Sequence, residues 1–405
     1  MKVLMFGWEF PPFSSGGLGT ACYGLTKSLS GKGVQITFVL PYSAEISDAD
    51  FVKILPAGNI KIRKISTILR PYMGFKEYST ALVRKPNPKI YGSTLFEEVY
   101  KYTLAAEKIA EEEEFDIIHC HDWMTFGAGI AAKRKKGKPL VLHVHATEFD
   151  RTGGHHVNQH VYELERDGMH NADRVIAVSN FTKSKIISNY GVPEEKVSVI
   201  HNAVDSSINH HGENFEFKKN DRMVLFLGRL TLQKGPDYFV YTAKKVLERE
   251  KDVKFMIAGS GDMEPFIIEK TAEMGISRSV LFAGFLNPQD VERAYKMADI
   301  YVMPSVSEPF GITALEAMKN KTPVIVSNQS GVSEVIKHCL KADFWDVDEM
   351  SNKIIALLRY KPLSDALREN GYFEARGFSW DTPAQKCIQL YEKLLTDCGF
   401  IQKMS

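Results

Sequence analysis

Short runs of β-branched and other apolar residues alternate with amphipathic stretches along nearly the whole chain, in two successive cycles. Runs that are apolar throughout, rather than at every second residue, belong to parallel strands buried on both faces, with the amphipathic stretches as crossover helices. The first cycle places strands at 2–6, 35–40, 116–121, 139–145, 174–178 and 197–200, with helices over 96–113 and 181–190. The pattern lapses into polar residues near 205–220, and a second cycle runs through 223–227, 254–258, 280–282, 300–303 and 323–326. Each cycle reads as a Rossmann-like doubly wound sheet, so the expected fold class is α/β, with two such domains facing each other across a cleft. The expected boundaries are 1–205 and 206–378. A C-terminal helix over 379–397 carries Ala384, Cys387, Leu390, Tyr391 and Leu394 at helical spacing. Segment 48–88 reads as extra strands or an excursion from the sheet.

A chain of 405 residues is too long for one ordinary core. Lys and Arg number 51 against 50 Asp and Glu, so a dedicated nucleic-acid partner is not expected. No apolar run is long enough to span a bilayer, and Val3–Phe6 is too short for a signal-peptide core. The five cysteines are odd in number and scattered, without metal or disulfide spacing, which predicts a cytoplasmic protein with reduced thiols. The cluster Lys133, Arg134, Lys135, Lys136 and Lys138 reads first as a solvated helix face, and second as a weak peripheral membrane contact.

Several loops could carry chemistry. Pro11 to Gly19 follows the first strand, and its paired glycines either let backbone approach a ligand or only serve a turn. His119 and His121 share one face of a strand that ends at Asp122. With an aspartate next and no further ligand-spaced histidine, a zinc site is a weak reading, and no metal is expected. His119 reads as a core histidine, Asp122 as a hydrogen-bonded cleft residue, and His145 as emerging at the next strand's end. The run His155, His156, His160 reads as a polar helix face. Arg229 and Lys234, five positions apart (234 − 229), sit beyond a buried strand, where two cations suit a pyrophosphate. Gly259-Ser260-Gly261 reads only as a turn. In Ser305 to Glu316, Gly311 and Ile312 would offer N–H groups to a phosphate at a helix start. Glu308 and Glu316 stand eight residues apart (316 − 308), about two turns, around Pro309-Phe310-Gly311.

Taken together, these motifs resemble the retaining GT-B glycosyltransferases, in particular the glycogen/starch synthase-like branch, over essentially the whole chain. The carriers are Glu308–Glu316 with seven residues between, Gly16-Gly17-Leu18, His121-Asp122-Trp123, Asn202-Ala203-Val204-Asp205 and Arg229 with Lys234. The resemblance implies that Arg229 and Lys234 bind the donor diphosphate and stabilise its departure. It implies Glu308 beside the transferred sugar, Glu316 on the nucleotide ribose, and Phe310, Gly311 and Ile312 at the donor. His145 would lie near the transferred sugar, Gly17 would let the first loop approach the diphosphate, and Asp122 and Asn202 would serve the acceptor side. The C-terminal helix would return to the first domain. The family's chemistry needs no cofactor and, with these cations, no metal. One departure is Ser14, where starch-synthase-type enzymes carry Lys, so UDP- and ADP-glucose both stay open as donors. A second is the single glycine, Gly331, where a pair is common. The expected activity is retaining transfer of a hexose, foremost glucose, to the non-reducing end of an α-1,4-glucan. The alternatives are a glucosyl- or mannosyltransferase using a small-molecule or lipid-linked acceptor and, behind it, a sugar-nucleotide epimerase.

Overall fold

The protein is described by a computed structural model that covers residues 1–10, 16–42, 60–66, 95–204, 222–397 and 399. Pro11 to Ser15, Asp205 and most of segment 48–88 lie outside the described residues. The chain divides into two compact units, one of Met1–Glu148, Val157–Asn202 and Trp380–Ser405, the other of Phe149–His156 and Ala203–Ser379.

The first unit is built on a seven-stranded parallel sheet of order β3-β2-β1-β4-β5-β6-β7. Its strands are β1 Lys2–Phe6, β2 Gln35–Tyr42, β3 Ile60–Ser66, β4 Ile117–His121, β5 Leu140–Val144, β6 Arg174–Ala177 and β7 Val197–Val199. Its helices are α1 Gly17–Gly31, α2 Leu95–Glu112, α3 Trp123–Lys136, α4 Gln159–Asn171 and α5 Asn180–Tyr190. Strands β4 and β5 are buried at every residue, although His119, His121 and His143 interrupt their apolar runs. Helix starts follow capping chemistry: Asn158 accepts from His160 and Val161 N–H, and Ser179 Oγ accepts from Thr182 N–H. β3 is the strand that segment 48–88 contributes.

The second unit carries a six-stranded parallel sheet of order β10-β9-β8-β11-β12-β13. The strands are β8 Arg222–Leu227, β9 Val253–Ala258, β10 Val280–Gly284, β11 Ile300–Met303, β12 Val324–Ser327 and β13 Leu340–Ala342. Helices α6 Pro236–Arg249, α7 Glu264–Glu273, α8 Pro288–Met297, α9 Ile312–Lys319, α10 Val347–Arg359 and α11 Lys361–Ala375 complete it. Val224, Phe226, Phe239, Phe255, Ile257, Val302, Ile325 and Ile354 form its core, each at most 2% exposed. The strand order reverses between β8 and β11, which sets the loops after those two strands side by side.

Helix α12, Asp381–Asp397, belongs to the first unit. It buries Ala384, Cys387, Tyr391 and Leu394, four of the residues at helical spacing. Trp380, just before it, lies so close to Gly24 of α1 that a β-carbon there would sit 2.2 Å from the indole nitrogen. No helix among the described residues is long and apolar enough to cross a membrane.

Candidate active site

In the second unit the loops after β8 and β11 are fastened to each other through backbone. Val306 N–H donates to Gln233 O at 3.0 Å, just before Lys234. Lys234 Nζ reaches Glu308 Oε2 at 2.6 Å, and Ser305 Oγ donates to the same oxygen at 3.2 Å. Glu308 is 6% exposed, so its charge depends on these two partners. Its main chain is held as well: Glu308 N–H donates to Gln329 O, and Gly331 N–H donates to Glu308 O, both at 2.9 Å. Arg229 donates weakly to Gln233 Oε1 at 3.4 Å. The cation, the carboxylate and both loops therefore form one unit, which no reading of either motif by itself would reveal.

Helix α9 begins directly after Gly311, whose φ of 110° lies in the glycine-favouring region. A β-carbon there would also press on Met303 Cε and Val332 Cγ1 at 3.0 Å. Phe310 and Ile312 are buried, so a ligand could meet them only through backbone. Two turns on, Glu316 Oε2 accepts from Tyr295 Oη at 3.1 Å. Burial pushes the Glu316 carboxyl pKa up, against the lowering effect of the Tyr295 hydroxyl and Lys319. Tyr301 Oη donates to Thr313 Oγ1 at 2.9 Å on the same helix. Ser307 Oγ donates to buried Asp150 at 2.5 Å within this unit. Ser305 and Ser307 lie in the Ser305–Glu316 stretch, but Tyr295 and Asp150 carry no motif, and only the fold brings those two to the site.

In the first unit, Asp122 has a positive φ of 60° and precedes α3. Its Oδ1 accepts from His145 N–H at 2.7 Å and Ala146 N–H at 3.3 Å, so it holds the loop that follows β5. Asp122→Ala should lower stability by about 2 kcal/mol through the loss of those two charge-assisted hydrogen bonds, and Asp122→Asn by less than half of that. Chemical denaturation curves for the two variants check this, and equal losses would contradict it. His145 is partly exposed, its ring Nδ1 is buried, and burial lowers its pKa to about 3. Gly17 opens α1, with open space where a side chain would project. Asn202 is buried at the end of this unit.

His121 and His143 face each other in the β4–β5 register, so four histidines gather where the sequence reading counted no further ligand beyond His119 and His121. The repeated His-x-His at the ends of two successive strands was the available signal. Three lysines of the basic cluster, all on α3, are held in ion pairs: Lys133 to Asp173 at 2.8 Å, Lys136 to Glu114 at 3.3 Å, and Lys135 to Glu111.

Two Rossmann-like units, with charged loops at strand ends of the second, are the architecture of the GT-B class of transferases, and this chain is of that class. Residues 15–208 match the sequence model of Glycosyltransferase Family 4, and residues 208–373 match that of Glycosyl transferases group 1. An uncharacterized glycosyltransferase of Methanocaldococcus jannaschii is 32% identical over 97% of this chain and 98% of its own. The chain therefore belongs to the glycosyltransferases and is a transferase that uses a nucleotide sugar. Glycogen synthase of Mycobacterium tuberculosis is 24% identical over 83% of this chain and 80% of its own. In fold, sucrose-phosphate synthase from Thermosynechococcus elongatus superposes with a TM-score of 0.79 at 19% identity, over 98% of this chain and 99% of that one. Anabaena HepE in complex with UDP-glucose gives 0.71 at 18%, over 97% and 100%.

Proposed function

We propose that the protein transfers glucose, with retention of anomeric configuration, from UDP- or ADP-glucose to the non-reducing end of an α-1,4-glucan. The observation that carries this is the Lys234–Glu308 pair at 2.6 Å, set beside the N-terminus of α9. The similarity to a glycogen synthase and the UDP-glucose bound by Anabaena HepE support the donor and acceptor class. Lys234 and Arg229 take the donor diphosphate, and the α9 N-terminus adds its partial positive charge. Charge develops on the diphosphate as the glycosidic bond breaks, so cations fixed there stabilise the transition state more than the ground state. The departing phosphate oxygen accepts the acceptor's proton, so no side-chain base and no metal enter the transfer step. Glu308 and His145 contact the transferred sugar, Glu316 accepts from the ribose hydroxyls, and Asp122 and Asn202 order the acceptor side. We place the enzyme in the cytoplasm.

A screen of UDP-, ADP- and GDP-sugars against glycogen, maltooligosaccharides and small acceptors tests this reading. Glucosyl incorporation into glycogen with new α-1,4 linkages is expected. Turnover only with small acceptors would move the assignment to the second reading, which the 27% identity to a D-inositol 3-phosphate glycosyltransferase of Mycobacteroides abscessus favours. Epimerised donor without acceptor would defeat transfer altogether.

Glu316→Gln should raise the donor KM about ten-fold, the loss of charge from a hydrogen bond to the ribose, while kcat changes little. Because burial raises the Glu316 pKa, acid should weaken donor binding from a higher pH than an ordinary carboxylate would show. Donor KM measured across pH for both proteins checks this: the acid limb should vanish in the variant.

A further inference from the structure

We propose that His119, His121 and His143 form a binding site for a zinc-class divalent metal in the core of the first unit, apart from the transfer step. The three rings are at most 2% exposed, and each offers a ring nitrogen within 4.8 Å of the others. Five buried ring nitrogens of the four-histidine cluster have no hydrogen-bond partner: His119 Nε2, His121 Nε2, both nitrogens of His143, and His145 Nδ1. Buried polar atoms are rarely left so, and this many in one place point to an occupant.

The pattern of what is paired points to a metal. His119 Nδ1 meets the Tyr391 hydroxyl of α12, and His121 Nδ1 meets His145 Nε2 at 2.9 Å. In these two rings one nitrogen is held by a neighbour and the other is left bare, the arrangement by which metal-binding histidines are oriented, while both nitrogens of His143 are bare. Imidazole suits zinc, cobalt, nickel and copper, and three histidines leave a fourth position for water. The rings lie in near-parallel planes, 19° to 29° apart. Binding therefore requires them to tilt until their nitrogens stand about 3.4 Å apart, as tetrahedral zinc–nitrogen bonds of about 2.0–2.1 Å demand.

The test is metal content. The full chain is produced in medium supplemented with zinc or, separately, with cobalt(II), dialysed against a weak chelator, and assayed by elemental analysis. About one equivalent per chain is expected, together with visible absorption of tetrahedral cobalt(II). His143→Asn should retain less than a tenth of that. Wild-type protein without metal from both media would overturn the proposal and assign the bare nitrogens to buried water. Equal retention in His143→Asn would overturn it too, by placing the ion elsewhere. Should His143→Asn fail to fold, Tyr391→Phe removes only the hydroxyl behind His119. It should release zinc to chelator at a concentration at least ten-fold lower than wild type does, and unchanged retention would refute the site.

Discussion

Lys234→Ala should lower kcat/KM by about a thousand-fold, roughly 4 kcal/mol of lost transition-state stabilisation. The structure adds a complication to that variant. Lys234 partners Glu308, which is 6% exposed, so the single substitution leaves a nearly buried carboxylate with Ser305 Oγ as its remaining side-chain partner. That should cost about 2 kcal/mol of stability in addition to the kinetic loss. The double variant Lys234→Ala/Glu308→Gln separates the two effects, because the neutral amide no longer needs a cation. Its melting temperature should return most of the way to wild type while its turnover stays at or below that of Lys234→Ala. Glu308→Gln by itself should also lose at least a hundred-fold in kcat. The losses should be far from additive, since the lysine and the carboxylate position each other. A stable double variant with near-normal turnover would remove both residues from the reaction.

The two sheets were legible because buried parallel strands need uninterrupted apolar runs, and the chain has them at Lys2–Phe6 and Ile300–Met303 with the bounds the structure gives. β13 was not anticipated: Leu340-Lys341-Ala342 is three residues long and only one of them is buried, so it has no pattern to read. The charged motifs were visible as motifs, but their coupling was not. Lys234 and Glu308 are 74 residues apart, and their pairing follows from β8 and β11 lying next to each other at the point where the strand order reverses. The same holds for Tyr295 on Glu316 and for Tyr391 on His119, where partners come from different helices with ordinary apolar patterns. Periodicity reports which face of an element is buried; it carries no information about which buried polar groups will meet.

Gly259→Ala should unfold the protein at a melting temperature lower by about 10 °C, the consequence of at least 3 kcal/mol lost. The sequence suggests only a turn at Gly259-Ser260-Gly261, but the segment is an irregular stretch that clamps the loop carrying Arg229. At Gly259 φ is +129°, and a β-carbon would stand 1.9 Å from the carbonyl oxygen of Gly228. The contact cannot relax cheaply, because both strands of the clamp are fixed. Gly259 N–H donates to Gly284 O at 2.7 Å, Gly228 N–H to Ala258 O at 3.0 Å, and Leu230 N–H to Ser260 O at 3.0 Å. Opening the clamp enough to admit a methyl group breaks at least one of these bonds and displaces Arg229, so activity should fall along with stability. Gly275→Ala is the control. Its φ of +69° carries the left-handed penalty of about 1 kcal/mol, yet nothing lies within 4 Å of the added carbon. Thermal melts of the two variants should therefore differ by several degrees. Equal melting temperatures would mean that the close approach at Gly228, rather than the backbone angle, has been misread.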